Sequence, residues 1–189
     1  MKKVMLILGL LLMPAIALAH PGHAMNTSWQ GFVHPFSGLD HLLVMLAVGF
    51  FAARQSQPLN WQLPLLFLGA MTAGLTIGAQ TQTTHAWAEL AVALSVISMG
   101  FVILFRTVIA SKTALTLIAV FAGLHGFVHG QEMTMTSNWF APVIGILLAT
   151  ATLLSLGYLF GAQKLHARIV ERLFAGVLML AGAWLSITI

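Results

Sequence analysis

The sequence contains no cysteine and very little charge, with eight Lys or Arg and four Asp or Glu among 189 residues. The absence of cysteine excludes disulfides, thiolate nucleophiles and cysteine-ligated metal sites. A soluble domain of this length would carry charge on about a quarter of its residues, whereas here the fraction is 6%. The formal net charge of +4 is small and scattered along the chain, so it does not indicate nucleic-acid binding.

What the chain has instead is apolar sequence, which makes up 59% of its residues. Several apolar stretches approach the roughly 20 residues that a helix needs to cross a bilayer. These features predict an all-α integral membrane protein, surrounded by lipid and forming one small helical domain. They leave the oligomeric state open.

The first nineteen residues are typical of a secretory signal peptide rather than of the folded domain. Lys2 and Lys3 precede an apolar core, and Ala17 and Ala19 form an A-x-A cleavage signal. We therefore predict a signal peptide over residues 1–19 and a mature domain over residues 20–189. An uncleaved first helix is the alternative.

Six transmembrane helices are predicted after the signal peptide, and together they form a six-helix bundle. Their expected limits are 38–54, 60–80, 85–106, 113–131, 138–162 and 168–188. With the mature N-terminus outside, six basic residues fall on the inner side and none on the outer side, as the positive-inside rule predicts. These are Arg54, Arg106, Lys112, Lys164, Arg168 and Arg172. The pattern predicts a multi-pass protein of a bacterial inner membrane.

Histidines and acids collect at the opposite, outer ends of the predicted helices. Seven of the eight histidines and three of the four acids lie there, and Glu171 remains among the inner basic residues. The positive-inside rule does not govern neutral histidine. The clustering therefore indicates a functional site on the outer side.

One outer segment is HPFSGLDH, which runs from His34 to His41. Proline disfavours the helical conformation in the residue before it, so we expect Pro35 to hold His34 extended and outside the helix. Ser37 and Asp40 have the spacing of a capping box at the start of the first span. A helix cap is thus the structural alternative to a ligand role for Asp40.

A second segment, LHGFVHGQE, ends the fourth predicted span. His125, His129 and Glu132 follow positions i, i+4 and i+7 and share a helical sector of roughly 60°. Gly126 and Gly130 fall on a different face, where they allow a neighbouring helix to approach. Histidines that bond only to neighbouring helices are the structural alternative.

Two further groups fit the same pattern. His85 and Glu89 stand at i and i+4 and share a face at the start of the third span. His20 and His23 lie at the predicted mature N-terminus, where a free amine and imidazoles can chelate a metal. An interfacial hydrogen-bonded pair and a disordered tail are the respective alternatives.

The outer side therefore combines imidazoles and carboxylates with no basic residue to pair them, a combination that suits a cation. Imidazole with carboxylate favours Ni²⁺, Zn²⁺, Co²⁺ or Cu²⁺, whereas Mg²⁺ and Ca²⁺ prefer oxygen ligands. No prosthetic group is expected. The predicted metal ligands are His34, Asp40, His41, Glu89, His125, His129 and Glu132, with possible capture of the ion by His20, His23 and His85.

The two segments resemble the signatures of the HupE/UreJ family of nickel and cobalt permeases. The first signature is matched by His34, Pro35, Gly38, Asp40 and His41. The second is matched by His125, Gly126, His129, Gly130 and Glu132. The resemblance implies a secondary permease that takes up Ni²⁺ or Co²⁺ for hydrogenase or urease, and not an enzyme. Phe127 occupies a position that is histidine in some members, which bears on the number or selectivity of bound metals.

Other functions remain open at this level. An intramembrane hydrolase could hold Zn²⁺ between His125, His129 and Asp40 and activate water. A permease for zinc or copper, a neutral-solute channel and a purely structural metal protein also fit the composition. The chain has no P-loop motif, so ATP-driven transport would need another subunit.

Overall fold

The computed structural model describes residues 25–81, 86–133, 139–163 and 167–188. The predicted signal peptide and the capture residues His20, His23 and His85 lie outside these ranges. The described residues form seven helices and no strand. We label them α1 (Ser28–Ser37), α2 (Leu39–Ala53), α3 (Leu59–Thr81), α4 (Ala86–Leu104), α5 (Ser111–Gln131), α6 (Phe140–Gly161) and α7 (Ala167–Thr188).

Five helices, α3 to α7, are long and apolar enough to cross a membrane. At each of their ends the helix differs from its predicted limit by no more than two residues. The remaining predicted span, 38–54, corresponds to α2, which has 15 residues and reaches only about 22 Å at about 1.5 Å per residue. It is preceded by α1 across a bend of 86°. The predicted count of six spans therefore depends on how this bent pair sits in the bilayer.

The expectation that Pro35 excludes His34 from a helix was wrong, because both residues lie inside α1. The reason is a capping box at Thr27 that begins the helix at Ser28, six residues before His34. The Gln30 backbone N–H donates to Thr27 Oγ1 at 3.2 Å, and the Thr27 N–H donates to Gln30 Oε1 at 3.1 Å. Pro35 limits α1 rather than preventing it, since the helix ends two residues later at Ser37.

The predicted capping box of Ser37 and Asp40 was also wrong. The residue that caps α2 is Gly38, which has extended backbone and offers no side chain. Ser37 Oγ instead donates to the His34 carbonyl at 2.6 Å. Asp40 lies in the first turn of α2, where its carboxylate accepts from the backbone N–H of His41 at 2.8 Å.

The close packing of α5 against α3 confirms the separation of the two faces of α5. A Cβ added at Gly126 would overlap the Met71 carbonyl, and one at Gly130 would overlap the Leu75 carbonyl. Such contacts allow two helix backbones to touch in lipid. Because the glycines face α3, the histidines of α5 point elsewhere, towards α1 and α2.

The remaining helices pack mainly in pairs, with α2 and α1 against α6 and with α4 against α7. Large buried side chains such as Phe50, Phe67 and Met71 fill the middle of the bundle. This apolar core separates two polar regions. We call them the histidine end, which contains His34, His41, His125 and His129, and the arginine end, which contains Arg54, Arg106 and Glu171.

Candidate metal site

The four histidines of the histidine end come from three helices and meet at one point. The centre of the His41 ring lies 4.3 Å from that of His129 and 4.9 Å from that of His125. The His34 ring lies 5.0 Å from His129. The bend between α1 and α2 makes this possible, because it brings His34 round to the face on which His41 lies. The positions of these histidines in the sequence do not by themselves predict that His34 meets the other three.

Glu132 lies immediately after α5 and joins the cluster from its exposed side. His34 Nε2 donates to Glu132 Oε2 at 2.8 Å, and His129 Nδ1 lies 3.6 Å from the same oxygen. One ligand atom from each of these three residues falls within 4.8 Å of the others. Two ligands of one ion span up to about 4 Å when each bond is about 2 Å. A small contraction would therefore allow all three residues to bind a single cation.

The charge of Glu132 is stabilised by its neighbours. Partial burial raises the pKa of this carboxyl, but the nearby His129 and the hydrogen-bonded His34 outweigh burial and hold the pKa below its ordinary value. The side chain is negatively charged at neutral pH as a result. It could therefore serve as an anionic ligand for a divalent cation.

His41 is oriented by Asp40, the residue before it in the chain. His41 Nδ1 lies 2.7 Å from Asp40 Oδ1. Because a carboxylate accepts hydrogen bonds, Nδ1 carries the proton, and in the neutral ring Nε2 keeps its lone pair. His41 Nε2 is buried and has no hydrogen-bond partner. A carboxylate behind a histidine in this way is the usual support of a metal-binding imidazole.

His125 is held in the same tautomer by a different acceptor. Its Nδ1 donates to the Phe121 carbonyl, one turn earlier in α5, at 2.8 Å. Its Nε2 is likewise buried and without a partner. Sequence reasoning found His125 but not the Phe121 carbonyl, since every helical residue offers the same backbone group.

His129 is fully buried, and neither of its ring nitrogens makes a hydrogen bond. The 3.6 Å separation from Glu132 is too long for one. Buried polar atoms in proteins are almost always paired, and leaving one unpaired costs about 1–3 kcal/mol. The histidine end leaves four such imidazole nitrogens unpaired, on His41, His125 and His129, which indicates that a ligand completes them.

Glu89 does not join this group. It lies in the first turn of α4 and is exposed, and no hydrogen bond or ion pair joins it to the histidine end in the described part of the chain. Its predicted partner, His85, is outside the described residues. The structure thus brings together six of the seven predicted ligands. Within these six, Asp40 bonds to His41 and Glu132 bonds to His34.

The arginine end shows how this bundle treats a buried acid elsewhere. Arg106 Nε donates to Glu171 Oε1 at 3.1 Å, and Arg54 Nε lies 3.6 Å from the same atom. Arg54 also donates from Nη2 to the Gln163 carbonyl at 3.0 Å. All described basic residues lie towards this end, so the histidine end carries acids and imidazoles without Lys or Arg in the described part of the chain. Those donors suit a divalent transition-metal cation.

Comparison with known proteins identifies a matching family and a relative of similar length. The sequence model of the family described as HupE / UreJ protein matches residues 8–185. The chain is 35% identical over 188 residues to a protein described as Protein HupE from Rhizobium leguminosarum bv. viciae, and the match covers 98% of each chain. No solved structure matches it.

Proposed function

The chain belongs to the HupE/UreJ family, and from that premise we propose that it is a permease for a divalent transition metal. Its principal cargo in this proposal is Ni²⁺, with Co²⁺ as a second cargo, and the ion supplies a hydrogenase or a urease. The protein is placed in a bacterial inner membrane. The histidine end faces outward and takes up the ion.

The observation that carries this proposal is the set of buried, unpaired imidazole nitrogens beside two carboxylates. Polar groups within a membrane bundle are costly, so they usually pair with one another or line a pathway. Because these nitrogens have no hydrogen-bond partner, we assign them to a pathway for a cation. A cation between the rings would satisfy them and would replace the proton that His34 shares with Glu132.

An intramembrane zinc hydrolase would need an open coordination position that meets a substrate cleft. Two hollows on the described surface are lined mainly by apolar side chains of α3, α5 and α6. Neither includes a residue of the histidine end. His125 and His129 are fully buried, which favours a site that closes around an ion over one that admits a second substrate.

The test is uptake of radiolabelled Ni²⁺ into bacterial cells that lack their own nickel permeases and express this chain. We expect accumulation above that of empty-vector cells, with stronger competition from unlabelled Co²⁺ than from Zn²⁺ or Cu²⁺. Absence of uptake from cells with verified membrane-inserted protein would contradict the permease. Stronger competition by Zn²⁺ would instead reassign the cargo.

A further inference from the structure

The histidine end has a gradient of exposure that divides it into two parts. The side chains of His34 and Glu132 are 29% and 36% exposed. His125 and His129 are fully buried, and the His41 side chain is only 8% exposed. An ion arriving from outside the bundle therefore meets Glu132 and His34 before it meets the rings of His41 and His125.

The two parts also differ in how their ligand atoms are prepared. At the exposed part, His34 and Glu132 bond to each other, so a cation has to replace a proton there. At the buried part, His41 and His125 donate from Nδ1 to Asp40 and to the Phe121 carbonyl. Their Nε2 lone pairs are thus free to bind an ion without first breaking a hydrogen bond.

His129 lies between the two parts, and it is hydrogen-bonded to neither of them. Its ring centre is 5.0 Å from that of His34 and 4.3 Å from that of His41. Because neither of its nitrogens has a hydrogen-bond partner, no bond fixes its tautomer or its ring orientation. It can therefore bind an ion together with Glu132 or together with His41.

Building on the proposed function, we propose that the site holds its ion at two successive levels and that His129 serves both. The shallow level consists of His34, Glu132 and His129. The deep level consists of His41, His125 and His129, with Asp40 as the residue that positions His41. Since His129 is shared, the two levels hold one ion at a time, and the ion moves inward by exchanging Glu132 and His34 for His41 and His125.

This arrangement predicts that capture and inward transfer can be damaged separately. We compare Glu132→Gln, which removes the shallow charge, with His125→Asn. The Asn amide can still donate to the Phe121 carbonyl, but it offers no imidazole nitrogen to the ion. Ser95→Ala is the matched control, because Ser95 is a buried polar residue on α4 that bonds only to the Val92 carbonyl.

Two measurements are made on each variant. Binding of Ni²⁺, added as the chloride, is measured by equilibrium dialysis on protein purified in detergent, and initial uptake rates are measured in cells over a range of Ni²⁺ concentrations. Glu132→Gln should weaken binding and raise the half-saturating concentration by about 10–100-fold, with a maximal rate close to native. His125→Asn should bind Ni²⁺ with near-native affinity and one ion per chain, and its maximal rate should fall by about 10–100-fold.

Parallel loss of binding and rate in both variants would overturn the two levels and indicate one undivided site. Native-like uptake by His125→Asn would overturn the deep level. If His125→Asn does not insert, His41→Ala replaces it, since His41 belongs to the same level on a different helix. Failure of the native protein to bind or take up Ni²⁺ and Co²⁺ would instead reject the permease itself, so the two proposals fail in distinguishable ways.

Discussion

The two ends of the bundle treat buried polar groups differently. At the arginine end, the Glu171 carboxylate accepts a hydrogen bond from Arg106 and lies beside Arg54. Arg54 Nε has no hydrogen-bond partner, but the same guanidinium donates from Nη2 to the Gln163 carbonyl. At the histidine end, buried imidazoles remain without partners. The fold therefore pairs a buried carboxylate at one end. Under the proposed function, the unpaired imidazole nitrogens at the other end give up stability for metal binding.

At the arginine end, a cluster of phenylalanine rings packs beside the ion pairs. The rings of Phe50, Phe160 and Phe174 are in mutual contact, with centres 5.0 to 5.5 Å apart. The Arg54 guanidinium lies 5.3 Å from the centre of the Phe50 ring. Aromatic packing and charge pairing thus close this end together, whereas the histidine end has partly exposed side chains in His34 and Glu132.

The largest effect that the comparison predicts is at His129. His129→Ala should abolish most Ni²⁺ uptake, since changes even to groups behind a metal ligand cost about 10–100-fold. The amount of membrane-inserted protein should stay the same, because removing a buried unpaired imidazole relieves a penalty. The measurement is Ni²⁺ accumulation in cells with equal amounts of native and variant protein. Near-native accumulation would make His129 a packing residue.

Sequence reasoning located the helices and predicted that most residues of the histidine end lie close together, because both depend on short-range periodicity. The spacing of His125, His129 and Glu132 placed them on one face of α5, and the structure confirms that face. It failed at α1, where the pair Thr27 and Gln30 carried the spacing of a capping box that was overlooked. Pro35 was taken to exclude a helix at His34, and the helix signal at Thr27 and Gln30 was therefore missed.

The pairing of Asp40 with His41 was not predictable from helical spacing. Neighbouring residues on a helix point in different directions, so a contact at i and i+1 is not expected. It forms here because the two residues lie in the first turn, after the bend at Gly38. The meeting of His34 with Glu132 likewise depends on the 86° bend, which is a tertiary feature.

A second prediction compares the two ends directly by removing one acid from each. Glu171→Gln should lower the melting temperature of the protein without added metal, because it removes the negative charge that Arg54 and Arg106 share. The loss of stability should stay below the about 3–5 kcal/mol of fully buried pairs, since Arg106 is 28% exposed. Glu132→Gln should change the melting temperature far less. Thermal unfolding of both variants in the same detergent provides the measurement.

Equal destabilisation by the two substitutions would remove the distinction between a structural and a binding end. In that case Glu132 would contribute to stability as Glu171 does.

Addition of Ni²⁺ gives a further control. It should raise the melting temperature of Glu171→Gln as it does that of the native protein, because ligand binding to the folded state stabilises it.

The third prediction concerns the pH dependence of uptake through the histidine end. Protons compete with metal for imidazole, whose ordinary pKa is about 6.5. Uptake should therefore decrease as external pH falls from about 7.5 to about 5.5. Glu132 stays ionised over this range because its pKa lies below its ordinary value, so the decrease reports on histidine. Uptake that is independent of external pH would contradict entry of the ion through imidazole ligands.

The smallest predicted effect is at Gly38, which touches the site without contributing a ligand. A Cβ added there would lie 2.9 Å from Asp40 Oδ1 and 3.0 Å from His41 Nδ1. The backbone of Gly38, with φ of −89°, is one that alanine adopts freely, so the fold should not change. Gly38→Ala should instead push the carboxylate away from the imidazole and lower Ni²⁺ uptake towards the weak end of the about 10–100-fold range.

Gly69→Ala is the matched control, because an added Cβ at this position in α3 meets nothing within 4 Å. Its uptake should equal that of the native protein. Asp40→Asn, measured in the same series, should reduce uptake more than Gly38→Ala. Asn can donate to His41 Nδ1 and so transfer the ring proton to Nε2, the atom that the ion needs. Native uptake by both Gly38→Ala and Asp40→Asn would show that the orientation of His41 does not limit transport.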